Sequence, residues 1–409
     1  MKNPAATIVS ASLGAGLLII LFSCTGMTPT PRLKKENKIP PKLSSEALLL
    51  NGKEPDIRVS LFQAAPSGKI RLGSAGPVQI NTLAGELIIE VPSIAESAVI
   101  TTPAGFAIDG YPEFEADQVM LVPKNDSDLS VNGIRYHGRL RLRQRPDRRI
   151  SAVNLVSLDT YLGGVLGSEV ILSWPVATLQ ANAIASRSYA LYQMLQRQNA
   201  RADVASDTRD QVYRGMERES DRARSIIDQT RGIVLQHGGK MFPAYFSSTC
   251  GGYTTDARTG LDRKGWGPLS PVKCGFCRES RYFRWKYTVQ KGEIAASLGR
   301  AGHNVSVIHD IRPVGRSVDG RAKTVQIVHS KGQLSLKATK FRHIMGTGKL
   351  RSTFFSAKVS GSDVVFSGNG WGHGVGLCQW GTKGMASAGY TAEFILNHYY
   401  PGAKLAKIY

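Results

Sequence analysis

Cysteine is scarce in this chain of 409 residues: there are five, too few for a disulfide scaffold, so ordinary packing must supply most of the stability. Acidic residues are also short. Asp and Glu number 31 against 52 Lys and Arg, a formal charge of +21 that attracts polyanions over about one Debye length. Nucleic acid, an anionic membrane face and an anionic polymer all fit that charge. The 43 glycines follow no three-residue period, which excludes a collagen-like rod. The chain has no tandem repeat and no long low-complexity segment. It also lacks any zinc-finger or RNA-binding signature, which weakens the nucleic-acid reading. With 42% hydrophobic residues the chain is not disordered and can bury at least one full core.

What is present begins with an export segment. Lys2 precedes a mostly apolar run from Ala5 to Phe22, followed by Ser23 and Cys24 among small polar residues, the layout of a signal peptide. Ser10, Ser12, Gly14 and Gly16 within the run, and no strong stop-transfer cluster after it, argue against a transmembrane anchor. Leu21-Phe22-Ser23-Cys24 resembles a bacterial lipobox, with Phe22 an unusual occupant. That resemblance implies acylation of Cys24 and loss of residues 1–23, giving a membrane-anchored lipoprotein of the cell envelope; a plain secreted protein is the alternative. Residues 24–55, with Pro29, Pro31, Lys34, Lys35, Lys38, Pro40, Pro41 and Lys42, read as an extended tether.

From residue 56 the pattern changes to short alternating runs, and the expectation is a single large α+β unit over 56–409. Strands are expected at Ile57–Phe62, Val78–Ile80, Leu87–Val91, Gln118–Val122, Gly138–Arg143 and Ala152–Val156. Leu158, Leu162, Val165 and Leu166 form a helical stripe behind Ser157 as N-cap. A longer helix begins near Pro175 and carries Leu179, Ala183, Ile184, Leu191 and Met194; it reads as the central helix of the core. Strands follow at Ile233–Gln236, Met241–Ser247, Arg284–Val289 and Thr324–Val328, and a last helix at Ala392–Tyr399.

Four ordered blocks carry a resemblance. They are Leu158 to Ala190, with Gly163-Gly164-Val165-Leu166-Gly167-Ser168-Glu169 and Ser173-Trp174-Pro175; Asp207 to Gly215; Tyr245 to Thr254; and Gly368 to Gly381, continuing to His398-Tyr399-Tyr400-Pro401-Gly402. Together they resemble the stage II sporulation protein D family over roughly Ile57 to the C-terminus. The resemblance implies a peptidoglycan lytic transglycosylase acting on glycan strands stripped of peptides by an N-acetylmuramoyl-L-alanine amidase, with Glu169 as its essential acid. The residues around Glu169 agree: Val170, Ile171, Leu172 and Trp174 disfavour ionisation and raise a carboxyl pKa. One carboxyl suffices for the lytic reaction, and no cofactor is required. A hydrolytic muramidase needs a second carboxylate, for which Asp207, Asp210, Glu217 and Asp256 are available. A non-catalytic glycan-binding amidase enhancer is the third reading.

A peptide-free glycan bears free muramic carboxylates, so the basic charge reads as substrate attraction. Arg139, Arg141, Arg143 and Arg145 alternate with Leu140 and Leu142, putting four guanidinium groups on one strand face; Arg148, Arg149 and the segment Arg312 to Arg321 are further candidates. Ser248, Thr249, Gly251 and Gly252 form a small-residue loop suited to sugar hydroxyls, and Tyr253, Trp371 and Tyr399 are aromatic platforms or core residues. His373 and Gln379 are candidate substrate contacts, whereas Arg187 reads as a structural ion pair. Cys274-Gly275-Phe276-Cys277 with Cys250 and Cys378 offers either a structural zinc site or two disulfides. A Cys250 nucleophile with His373 as its base is a rival chemistry.

Overall fold

Ile57 and Val59 point one way and Arg58 and Ser60 the other, so Asp56–Phe62 is a strand with one buried face. In the computed structural model, which describes residues 52–65 and 68–409, it enters a seven-stranded sheet. The order is Val204–Ala205, Asp56–Phe62, Ile150–Ser157, Arg139–Gln144, Gln118–Pro123, Val78–Asn81, Leu87–Val91. The expected signal peptide, Cys24 and the tether up to Asn51 lie outside the described residues. A second sheet runs Phe106–Ile108, Ile94–Thr101, Lys69–Ser74, Leu129–Val131, Ile134–Tyr136. Ile70, Leu72, Val99 and Leu129 of this sheet share one core with Ile57, Val59, Leu121 and Leu140 of the first. The six strands expected before residue 157 are all present. This second sheet is additional, Ile94–Thr101 being diluted with Ala, Ser and Glu and Phe106–Ile108, Leu129–Val131 and Ile134–Tyr136 being only three residues long.

The described helices are α1 (Leu158–Glu169), α2 (Val176–Gln196), α3 (Asp221–Gln229), α4 (Ala257–Leu261), α5 (Lys291–Arg300), α6 (Ala338–Met345), α7 (Gln379–Ser387) and α8 (Ala392–Tyr399). None is long and apolar enough to cross a membrane. Ser157 occupies the N-cap of α1 without capping it, its hydroxyl donating instead to Thr160 Oγ1 at 2.8 Å. The Asp159 amide donates to Glu54 Oε1 at 2.8 Å, and Leu158 N–H to the Pro55 carbonyl. The last tether residues are therefore already fixed to the domain.

α2 is central, as its periodicity predicts. Leu179, Ala183, Leu191 and Met194 join the first core, while Ala181, Ile184 and Ala185 join a second, made with Phe242, Leu377, Leu396 and Tyr399. The strand expected over Met241–Ser247 is instead two short pieces, Lys240–Met241 and Phe246–Ser247, because Pro243 between them has no N–H for a ladder. A third core, built around Ile294, Val325, Phe341 and Phe366, belongs to residues 284–369, two three-stranded sheets with α5 and α6. This segment is inserted in sequence between parts of the second core, and the described residues form one compact unit.

Arg187 locks α2 to its surroundings. It is fully buried, with Nε donating to Asp159 Oδ1 at 2.9 Å and Nη1 to the Thr230 carbonyl at 2.7 Å. This is the structural ion pair expected of it. Removing one partner of a buried pair leaves an uncompensated charge, so Arg187→Met should lose about 3–5 kcal/mol in denaturant unfolding; an unchanged midpoint would show that Asp159 is compensated from elsewhere.

Candidate active site

Glu169 is the last residue of α1, and the glycines before it decide what can approach. A Cβ at Gly164 would lie 2.6 Å from the Gly215 carbonyl oxygen, and one at Gly167 1.9 Å from that of Arg218. The segment around 213–218 therefore lies directly on the helix backbone. That contact delivers Val212 N–H to Glu169 Oε1 at 2.8 Å. On the other side, Gln379 Nε2, at the start of α7, donates to Oε2 at 3.4 Å.

Burial raises the Glu169 pKa above the usual carboxylate range, and the bonds from Val212 and Gln379 pull it down. Burial is the larger effect, so the carboxyl leans toward its neutral form. Its edge stays partly exposed. Val170 and Trp174 are buried beside it, Trp174 meets Trp380 edge to face at 5.0 Å, and Trp380 N–H donates to the Ser248 carbonyl at 3.0 Å. The four sequence blocks thus converge here: Glu169 and Trp174, Val212, Ser248, Gln379 and Trp380.

The other carboxylates are engaged or exposed. Asp210 accepts from Tyr189 Oη at 2.6 Å, Arg197 Nη1 at 2.8 Å and Ala205 N–H at 2.8 Å. Asp256 caps α4, Asp207 pairs with Arg209, and Glu217 is exposed in the turn Gly215–Arg218. A partly exposed carboxyl whose pKa is raised by burial, set between two amide donors, can give up a proton and then bear the resulting charge.

The expected substrate contacts differ in how they are packed. Thr249 is fully buried, its hydroxyl 2.8 Å from that of Ser280, so it is not a surface group. Gly251 packs against Asn369 and Gly370, and the Gly252 carbonyl accepts from Cys274 N–H. Tyr253 is 40% exposed and stays available as a platform. Trp371 packs on Tyr282 with ring centroids 4.3 Å apart. Tyr399 is core, its hydroxyl 3.1 Å from Cys274 Sγ. His373 is partly exposed; desolvation and the nearby Arg342 and Arg321 push its pKa down to about 3, and its Nδ1 accepts from Val375 N–H at 3.0 Å. Of the basic candidates, Arg139 to Arg145 alternate with buried Leu140 and Leu142, Arg148 and Arg149 are exposed, and Arg321 is wholly buried.

The catalytic pairing of Cys250 with His373 does not form. Cys250 Sγ lies 3.6 Å from Cys277 Sγ, and the sulfurs of Cys250, Cys274, Cys277 and Cys378 all lie within 4.8 Å of one another, every residue buried. All four are free thiols. A tetrahedral zinc with Zn–S bonds near 2.3 Å would hold its sulfurs about 3.8 Å apart, so the set fits such an ion. The surroundings suit thiolate as well: Cys250 N–H and Gly381 N–H donate to Cys378 Sγ at 3.2 and 3.3 Å.

The sequence singled out Glu169 as the acid and Gln379 as a substrate contact rather than as a donor to Glu169, and it missed the Val212 amide, because a backbone donor leaves no side-chain signal. Trp380 stood inside a recognised block, yet nothing in its spacing told that it would meet Trp174.

A family model described as stage II sporulation protein (SpoIID) matches residues 146–237, which include Glu169 and Val212. A second, a domain of unknown function (DUF8618), matches 272–376. An uncharacterized protein of Brachyspira hyodysenteriae is 30% identical over 70% of this chain and 76% of its own length. The stage II sporulation protein D of Bacillus subtilis is 25% identical over 63% of this chain and 76% of that relative. The amidase enhancer of the same organism is 26% identical over 69% of this chain, which spans only 49% of that longer protein. With that model seated on the acid and its amide donor, and with these relatives, the chain belongs to the SpoIID family.

Proposed function

We propose that this chain is a cell-wall enzyme, a peptidoglycan lytic transglycosylase that cuts peptide-free glycan strands. The observation that carries this reading is the Glu169 carboxyl, desolvated and hydrogen-bonded to the amides of Val212 and Gln379 rather than to another carboxylate. Glu169 donates its proton to the glycosidic oxygen as the bond from that oxygen to muramic C1 breaks. The resulting carboxylate, supported by the two amide donors, takes the proton of the muramic C6 hydroxyl. O6 then bonds to C1, closing a 1,6-anhydro ring. One group serves as acid and then as base, and water does not enter the products.

The charge of +21 supports a polyanionic substrate, which a glycan with free lactyl carboxylates is. The name amidase enhancer, carried by one relative, supports an amidase as functional partner and keeps a non-catalytic, glycan-binding role as the competing reading. The export layout before Thr25 supports a lipoprotein of the cell envelope. Cys250, Cys274, Cys277 and Cys378 would hold a structural zinc, which would supply cross-linking of three chain segments rather than chemistry.

Amidase-treated peptidoglycan incubated with the purified chain should release 1,6-anhydro products by mass spectrometry, with at least about a hundredfold loss in Glu169→Gln, the scale of a general acid. Reducing ends would indicate hydrolysis, and strand binding without release would indicate a binding module. Because the Glu169 pKa is raised, the acid stays protonated above the ordinary carboxylate range, and the cleavage rate should fall as pH rises through that raised value. Elemental analysis should find one zinc per chain, lost together with thermal stability when Cys274 and Cys277 are both changed to Ser; a metal-free, equally stable wild type would refute the zinc assignment.

A further inference from the structure

Four buried thiols in one place raise a charge problem. Four thiolates around a dication carry two net negative charges, and burying uncompensated charge is costly. The cation within reach is Arg321. It comes from the hairpin of strands Ile308–Arg316 and Ala322–His329 in the inserted 284–369 segment, yet it is fully buried. Its Nη2 donates to the carbonyl of Cys250 at 2.8 Å. Gly374 makes the space, since a Cβ there would sit 2.2 Å from Nη2 and the residue has φ of +78°.

Arg321 is incompletely matched by its own acid. Asp319 Oδ2 is 3.3 Å from Nε, but neither atom makes a hydrogen bond among the described residues, and Nη1 also lacks one. The other carboxylate oxygen of Asp319 accepts from Thr255 Oγ1 at 3.0 Å. Arg342, buried close by, has its pKa pushed down to about 10, by burial first and then by Arg321. Arg342 donates instead to the carbonyls of Leu350 and Arg351 at 3.1 Å, so Asp319 is the one carboxylate paired with Arg321 among the described residues.

We propose that Arg321 is a positioning residue for the four-cysteine centre: its guanidinium offsets the negative charge of the tetrathiolate and fixes the Cys250 backbone, making the inserted segment a structural part of that centre. The proposal rests on the zinc assignment above. Groups that orient or electrostatically support metal ligands typically alter affinity by about 10–100-fold when removed.

The test is zinc affinity by chelator competition, with cobalt(II) substitution to read the thiolate-to-metal absorption band. Arg321→Met leaves Asp319 buried alone and risks misfolding, so the double variant Arg321→Met/Asp319→Asn, which removes both charges, is measured beside it. Near-ultraviolet circular dichroism monitors its fold. The expected result is a folded double variant with about 10–100-fold weaker zinc binding and a weakened or shifted cobalt band, and Arg321→Lys, which keeps charge but loses the planar fork, between it and wild type. A folded double variant that holds zinc as tightly as wild type overturns the role of Arg321 alone. A wild-type chain that binds neither metal overturns the zinc assignment and this proposal together.

Discussion

The hydrogen bond from Val212 N–H to Glu169 is the constraint on which the candidate site depends. It exists because Gly164 and Gly167 leave the α1 backbone bare where the chain around Gly215 and Arg218 crosses it. Side chains at those two positions would push the crossing segment off the helix and take the amide with it. Two effects act oppositely on the carboxyl: burial favours the neutral form, and the two amide donors favour the anion. Burial prevails, but the donors remain. A group so placed can be an acid first and a supported base afterwards, the property a one-carboxyl reaction requires.

The cysteine cluster bears on the same point from the other side. Cys378 is the N-cap of α7, its sulfur accepting from Gly381 N–H, and the next residue is Gln379, which reaches Glu169. Cys250 lies in the loop whose Ser248 carbonyl holds Trp380. Cross-linking these sulfurs would therefore set the start of α7 and the apolar wall beside the acid at once. Arg321 extends the connection outward to the inserted segment through the Cys250 carbonyl. The stability of that centre and the orientation of the Gln379 amide are in this way joined through a few covalent steps.

Much of this was legible in the residues because it depends on local pattern. Alternation marked Asp56–Phe62 and Arg139–Gln144, and the 3.6-residue spacing marked α1 and α2. Glu169 was legible from its apolar neighbours and its block. The second β-sheet was not, since its strands are short or diluted with Ala, Ser and Glu, and pairing of Lys69–Ser74 with Ile94–Thr101 is a nonlocal fact. Thr249 and Tyr399 look like surface groups in a list of sugar-binding residue types, yet their hydroxyls bond inward to Ser280 and toward Cys274. Arg321 misled for the same reason: an arginine in a basic stretch is usually solvated, and only the fold reveals a fully buried guanidinium donating to the Cys250 carbonyl.

The central claim is that the fold holds Glu169 protonated above the ordinary carboxylate range, and its most direct measurement is a carbon-13 NMR titration of side-chain carboxyl-labelled glutamates in the wild type and Glu169→Gln. The account predicts one resonance, missing in the variant, that titrates above the other glutamates. If the resonance that disappears titrates at the ordinary glutamate value, burial does not prevail over the amide donors and the account is contradicted.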